Sequence, residues 1–220
     1  MKILVSLLFA ALAVSAGNTL RIFGHEWAVP NPSDWSIDQE NGTPVLHLVS
    51  PRGPIPGPRR PIQFALADTP DFSRVTIDAD VKPLQRSLLL VFAYRDAAHF
   101  DYAHLSIDTG IKQPVHNGVF HVYGGERVRI SSPDGPPAFP ATKHWYHVQL
   151  VYDGGPGTVH VLVDGRAVPA LQAVDRSLSA GKIGLGSFDE TADFKNVKFT
   201  GTAATGSATA TGKSASPTGL

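Results

Sequence analysis

Four side chains in the middle of this chain have the chemistry to hold a polar ligand: Tyr102, His104, His116 and Arg127. A tyrosine offers a flat apolar face with a hydroxyl at its tip. An imidazole titrates near neutral pH, so it can hydrogen-bond a hydroxyl or move a proton. A guanidinium forks onto a carboxylate. From Phe100 to Asp108 the residues alternate as in a half-buried strand, with Ala103, Leu105 and Ile107 on one side and Tyr102, His104 and Ser106 on the other. The expectation is a sheet face carrying a ring hydroxyl and an imidazole within reach of water. Arg95, Asn117 and Tyr123 flank this stretch as second-choice contacts. The bland alternative is a buried hydrogen-bonded network that only braces the fold.

The elements that would position these groups read as strands and turns. Trp35 to Asp38 and Val45 to Val49 flank an Asn41-Gly42 hairpin signal. Phe72 to Val81 alternates, with Val75, Ile77, Ala79 and Val81 inward. Ser87 to Arg95 is nearly continuous apolar, as in a strand covered on both faces. Further strands are expected at Gly118 to Tyr123, Arg127 to Ile130, Trp145 to Tyr152, Thr158 to Val163, Lys182 to Phe188 and Asp193 to Phe199, with Asp164-Gly165 turning a hairpin. Pro51 to Pro61 and Ser131 to Pro140 are proline-rich loops, the first a plausible lid over the site. About eleven or twelve short, evenly spaced strands imply an all-β antiparallel sandwich.

Composition narrows the function classes. The 220 residues carry 19 basic and 19 acidic side chains, so no net field exists to hold nucleic acid. The absence of cysteine excludes disulfides, thiolate metal sites and a cysteine nucleophile. Lys2, the apolar run Ile3 to Val14 and the small residues Val14-Ser15-Ala16 read as a secretory signal over 1–17, too short to span a bilayer. The sandwich would occupy 18–200. The stretch 201–220 is almost entirely Gly, Ala, Ser and Thr and is expected to be a disordered tail. The expected location is secreted, periplasmic or cell-surface. Asn41-Gly42-Thr43 is a glycosylation sequon that matters only in a eukaryotic host.

The order VFAYRD, HFDYAHL, HNGVFHVYGGERVRIS, followed by HWYHVQLVYDGGPGTVHVLVDG and GKIGLGSFDETADFKNVKF, resembles secreted domains of the concanavalin A-like lectin/glucanase superfamily. It is most similar to the laminin-G-like and 3-keto-disaccharide-hydrolase-like branch, over roughly residues 20–200. The resemblance implies a jelly-roll sandwich of two curved sheets with ligands across the concave one. It places the family's Tyr-Ala-His-Leu element on Tyr102 to Leu105, a His-Asn pair on His116 and Asn117, and an arginine on Arg127. Where the family often closes with Phe-Asp-Asn-Val, this chain has Phe194-Lys195-Asn196-Val197, which weakens an inherited calcium site.

The leading expectation is a secreted carbohydrate-binding module, with Arg127 suited to a uronic acid. The rivals are a polysaccharide lyase or glycoside hydrolase on the same face, and a structural cell-surface module. A retaining hydrolase needs two carboxylates about 5–5.5 Å apart. No Glu-x-Asp-x-x-Glu run exists, glutamate occurs only at 26, 40, 126 and 190, and Asp78 with Asp80 reads as a solvated row. Lyase chemistry could use Arg, Tyr and His, but the strand motifs of alginate lyases on this fold are absent. His104 could converge with His116 or His121 on a metal, whereas His144 and His147 point to opposite strand faces. Asp189, Glu190 and Asp193 are oxygen donors for a possible structural calcium; no other cofactor is expected. Gly184-Leu185-Gly186 lacks the following helix of a nucleotide site, and no Gly-x-Ser-x-Gly elbow occurs.

Overall fold

The structure, a computed structural model, describes residues 18–53 and 55–205. The signal segment expected over 1–17 and the tail from 206 onward lie outside the described residues. Strands in chain order are β1 (Thr19–Ile22), β2 (His25–Ala28), β3 (Trp35–Glu40), β4 (Thr43–Leu48), β5 (Gln63–Ala67), β6 (Phe72–Pro83), β7 (Ser87–Asp96), β8 (His99–Ser106), β9 (Gly118–Tyr123), β10 (Glu126–Arg129), β11 (Tyr146–Asp153), β12 (Thr158–Val163), β13 (Arg166–Val174), β14 (Lys182–Ser187) and β15 (Ala192–Ala203). They form two antiparallel sheets. The front sheet runs β1-β2-β5-β14-β7-β8-β9-β10 and the back sheet β13-β12-β11-β6-β15-β4-β3.

Most expected strands are present. β1, β2 and β5 went unanticipated, because each has only four or five residues, too few for a clear alternation. β15 continues to Ala203, so three residues of the stretch expected as tail are held in the sheet. They pair with Val75, Arg74 and Phe72 of β6, which satisfies backbone groups that composition alone would leave to water.

Alternation places two apolar layers on the front sheet. Leu88, Leu90 and Phe92 of β7 and Ala103 and Leu105 of β8 join the core between the sheets. Leu89 and Val91, with Phe100 and Tyr102 of β8 and Phe120 and Val122 of β9, form a second cluster on the outer face, capped by Phe64 and Phe188. β7 reads as continuously apolar because both of its faces are covered.

The paired glycines of β14 have a packing role. Leu185 points into the core. A Cβ on Gly186 would lie 2.2 Å from the Gln63 carbonyl oxygen and 2.6 Å from Phe64 Cα, and one on Gly184 would lie 2.8 Å from the Ala65 carbonyl oxygen. The glycines therefore let β5 close against β14 and bring Phe64 over the outer face. Gly186→Ala is expected to cost about 1–3 kcal/mol through overpacking, measured as a lower urea midpoint with an unchanged slope.

Candidate functional site

The site is built on the outer face of the front sheet, at the end where β7 begins and β8 finishes. In the β7–β8 register Ser87 faces Ser106 and Leu89 faces His104. The turn between β14 and β15 delivers Glu190 to this corner. Its carboxylate accepts from the Arg86 backbone N–H (3.1 Å), the Arg86 Nε (2.6 Å), the Ser87 hydroxyl (2.9 Å) and the Ser87 backbone N–H.

This arrangement sets the state of His104. Its Nε2 lies 2.9 Å from the Ser87 Oγ. That hydroxyl gives its single proton to Glu190, so the imidazole donates from Nε2. Nδ1 is then an unprotonated acceptor, buried without a partner among the described residues. Burial, followed by the positive field of His116, Arg127, Arg86 and Arg59, holds the ring's pKa well below the usual histidine value.

A short helix (Gln113–His116) places His116 beside it, with ring centroids 5.4 Å apart. His116 Nδ1 is 2.5 Å from Asp108 Oδ2. Arg127, from β10, lies with its guanidinium 4.9 Å from the Phe120 ring centre and 5.1 Å from that of Phe188. One Nη donates to the Tyr102 hydroxyl at 3.4 Å. Among the described residues Arg127 has no carboxylate partner, whereas Arg59 pairs with Asp189 and Arg86 with Glu190. Arg59 comes from the loop 51–61 and stacks 5.1 Å over Phe188, as a lid would. Arg59, Arg86, His104, His116, Arg127 and Phe188 line a pocket of about 40 Å³.

The structure thus brings Tyr102, His104, His116 and Arg127 together, and corrects their accessibility. Tyr102 is 0% and His104 1% exposed. They face away from the inter-sheet core, as alternation requires, but the Phe64–Phe188 layer and the arginines cover them. Burial also drives the Tyr102 hydroxyl pKa upward. The second-choice residues are elsewhere. Asn117 is fully buried, and its side chain makes four hydrogen bonds, accepting from the Ser106 and Ala138 backbone N–H groups and donating to Ser106 Oγ and the Asp108 carbonyl oxygen. Every position of that amide is used, so it braces the loop instead of facing a ligand. Arg95 sits at the far end of β7, donating to the Ala180 carbonyl oxygen at 3.3 Å. Tyr123 lies beside His99 at that same far end, opposite it in register.

Sequence reasoning missed Arg59, Arg86, Ser87 and Phe188. Arg59 lies in a proline-rich loop, Arg86 and Ser87 at the start of β7 and Phe188 just after β14, positions that carry no local signal. Sequence alone offers Glu190 only as a calcium donor. Here Glu190, Asp189 and Asp193 each face a cation: Arg86, Arg59 and Lys82 respectively. Asp78 and Asp80 lie on the back sheet beside His147. His104 converges with His116, while His121 pairs with Asp101 on the opposite face. A larger apolar cleft of about 260 Å³, lined in part by Phe64, Leu66 and Tyr94, opens elsewhere on the outer face.

No family model matches the chain, and no curated protein does. Solved structures do. The carbohydrate binding module CBM66 from Bacillus subtilis is similar over 79% of this chain and 94% of its own, with a TM-score of 0.55 and 20% identity. A putative glycosyl hydrolase from Parabacteroides distasonis is similar over 78% and 92%, with a TM-score of 0.53 and 16% identity. These likenesses establish the fold: a jelly-roll sandwich of the concanavalin A-like type.

The neutral, buried His104 carries a pH consequence. Its folded pKa is depressed, so its contribution to stability is complete above the unfolded value near 6.5 and is lost as the pH falls below it. His104→Gln, whose amide can still donate to Ser87, is expected to flatten the acid limb by up to about 1.4 kcal/mol per pH unit. Urea unfolding of both proteins at pH 7 and pH 5 measures the difference.

Proposed function

We propose that this chain is a secreted carbohydrate-binding module that grips an acidic sugar through its carboxylate. The observation that carries this reading is Arg127, a guanidinium fixed by stacking on two rings and, among the described residues, without a carboxylate partner. Stacking leaves the guanidinium edge available, and a carboxylate matches it with two parallel hydrogen bonds. His116, whose Nδ1 is taken by Asp108, can offer Nε2 to a neighbouring hydroxyl.

Size decides how much of the ligand enters. A water needs about 10–15 Å³ of such volume, so a pocket of about 40 Å³ admits one carboxylate or hydroxyl and excludes a sugar ring. The ring would rest on the rim formed by Arg59 and Val115, which are both exposed. The short apolar segment from Ile3 to Val14 supports export. Binding is favoured over catalysis on geometric grounds. The Tyr102 hydroxyl is buried, and the two carboxylates at the pocket, Asp189 and Glu190, are both engaged by arginines.

Calorimetry of the full chain with uronate-containing and matched neutral oligosaccharides tests this. The expected result is a preference for the uronate that Arg127→Ala reduces about 10–100-fold, the scale of a charge-assisted hydrogen bond. Arg127→Lys should restore only part, because an ammonium cannot fork. Equal binding of neutral sugars, or uronate binding indifferent to Arg127→Ala, would overturn the reading. New ultraviolet absorbance from an unsaturated product would replace it with a lyase.

A further inference from the structure

Behind the front sheet, away from the pocket, three side chains from both sheets converge. Asp101 on β8 and His121 on β9 stand directly opposite each other in register. Asp175, just past the end of β13, reaches them from the back sheet. Asp101 Oδ1 lies 2.6 Å and Asp175 Oδ2 lies 3.0 Å from the same imidazole nitrogen, His121 Nδ1. Donor atoms of all three lie within 4.8 Å of one another.

The protein leaves this cluster unsatisfied. One Nδ1–H can serve one carboxylate well, and it serves Asp101. Among the described residues, Asp175 Oδ2 has no hydrogen bond, and neither does the second Asp101 oxygen, on a side chain only 1% exposed. No lysine or arginine forms an ion pair with Asp101 or Asp175 among the described residues. The hydroxyl of nearby Tyr152 cannot help, because it donates to the Leu178 carbonyl oxygen. Two carboxylates sharing one imidazole, nearly out of water, are costly unless a cation compensates them.

The surroundings orient the donors. Asp175 Oδ1 accepts from the Ser177 backbone N–H at 2.9 Å and from its hydroxyl at 2.6 Å, which turns Oδ2 toward the cluster. Outer contacts of this kind hold ligands in place around bound metals. We propose that Asp101, His121 and Asp175 form a binding site for a divalent transition metal of the zinc class, clamping the two sheets together. One imidazole and two carboxylates suit zinc, whose donors sit about 2.0–2.2 Å from the ion and roughly 3.4 Å from each other. Calcium would need six to eight oxygens, and this cluster supplies two carboxylates and a nitrogen. His121 and Asp175 side chains are 11% and 12% exposed, enough for water to complete the coordination.

The test uses the full chain, stripped with chelator and titrated with zinc chloride. The expected result is one zinc per chain by calorimetry and elemental analysis, with a melting temperature several degrees higher. Asp175→Asn, a near-isosteric change at the rim, and His121→Gln should each weaken uptake at least about 100-fold. His147→Gln, which alters the surface group with Asp78 and Asp80, should leave it unchanged. Circular dichroism of the variants separates loss of the site from loss of the fold. Stripped wild-type protein that takes up no zinc would overturn the proposal without any variant. Uptake that survives Asp175→Asn and His121→Gln but vanishes with His147→Gln would overturn it too, as would an equal response to calcium.

Discussion

A single buried carboxylate, Glu190, holds the working corner of this protein together. It sits in the connection from β14 to β15, where the chain crosses from the front sheet to the back one. From there it receives two backbone N–H groups, a hydroxyl and a guanidinium from Arg86 and Ser87. Hydrogen bonds to a charged group are worth about 1.5–3 kcal/mol each, and leaving a partner of such a buried pair alone costs about 3–5 kcal/mol. The Ser87 hydroxyl, oriented by Glu190, in turn settles which nitrogen of His104 carries the proton. One electrostatic anchor therefore fixes the loop crossing, the start of β7 and the tautomer of a buried imidazole.

Above that anchor the outer face is closed by guanidinium groups lying on aromatic rings. Arg59 and Arg127 both stack on Phe188, and Arg127 and Arg129 both lie over Phe120. Arginine suits this role because its planar, weakly hydrated head can lie flat on a ring and keep its edge for hydrogen bonding. The outcome is a lid that is apolar beneath and charged at its margin. It leaves a narrow opening of about 40 Å³ bordered by charged side chains.

Much of this was legible in residue order. Alternation across β8 separated Tyr102 and His104 from Ala103 and Leu105, and the structure keeps that division. The gathering of Tyr102, His104, His116 and Arg127 followed from two adjacent hairpins, which bring β8, β9 and β10 side by side. Arg95 shares β7 with the site but sits at its far end, whereas Tyr123 lies one register step from Arg127 and is turned by alternation to the opposite face, beside His121. Asn117 has the right neighbours, but its four hydrogen bonds are with distant backbone and side-chain groups that no spacing rule reveals.

By itself the amino-acid sequence determined an antiparallel sandwich, the facing of residues in the strands it outlined, and the absence of any cysteine or strong charge field. These depend on period-two patterning, turn chemistry and composition, which are local or summed properties. The tertiary structure alone decided that the outer face of the front sheet is roofed, that Tyr102 and His104 are buried, and that Asp175 meets Asp101 and His121. Each of these needs segments far apart in the chain to arrive at one place. Which side chains share a volume depends on how the loops cross between layers, and that geometry is not written in any one strand.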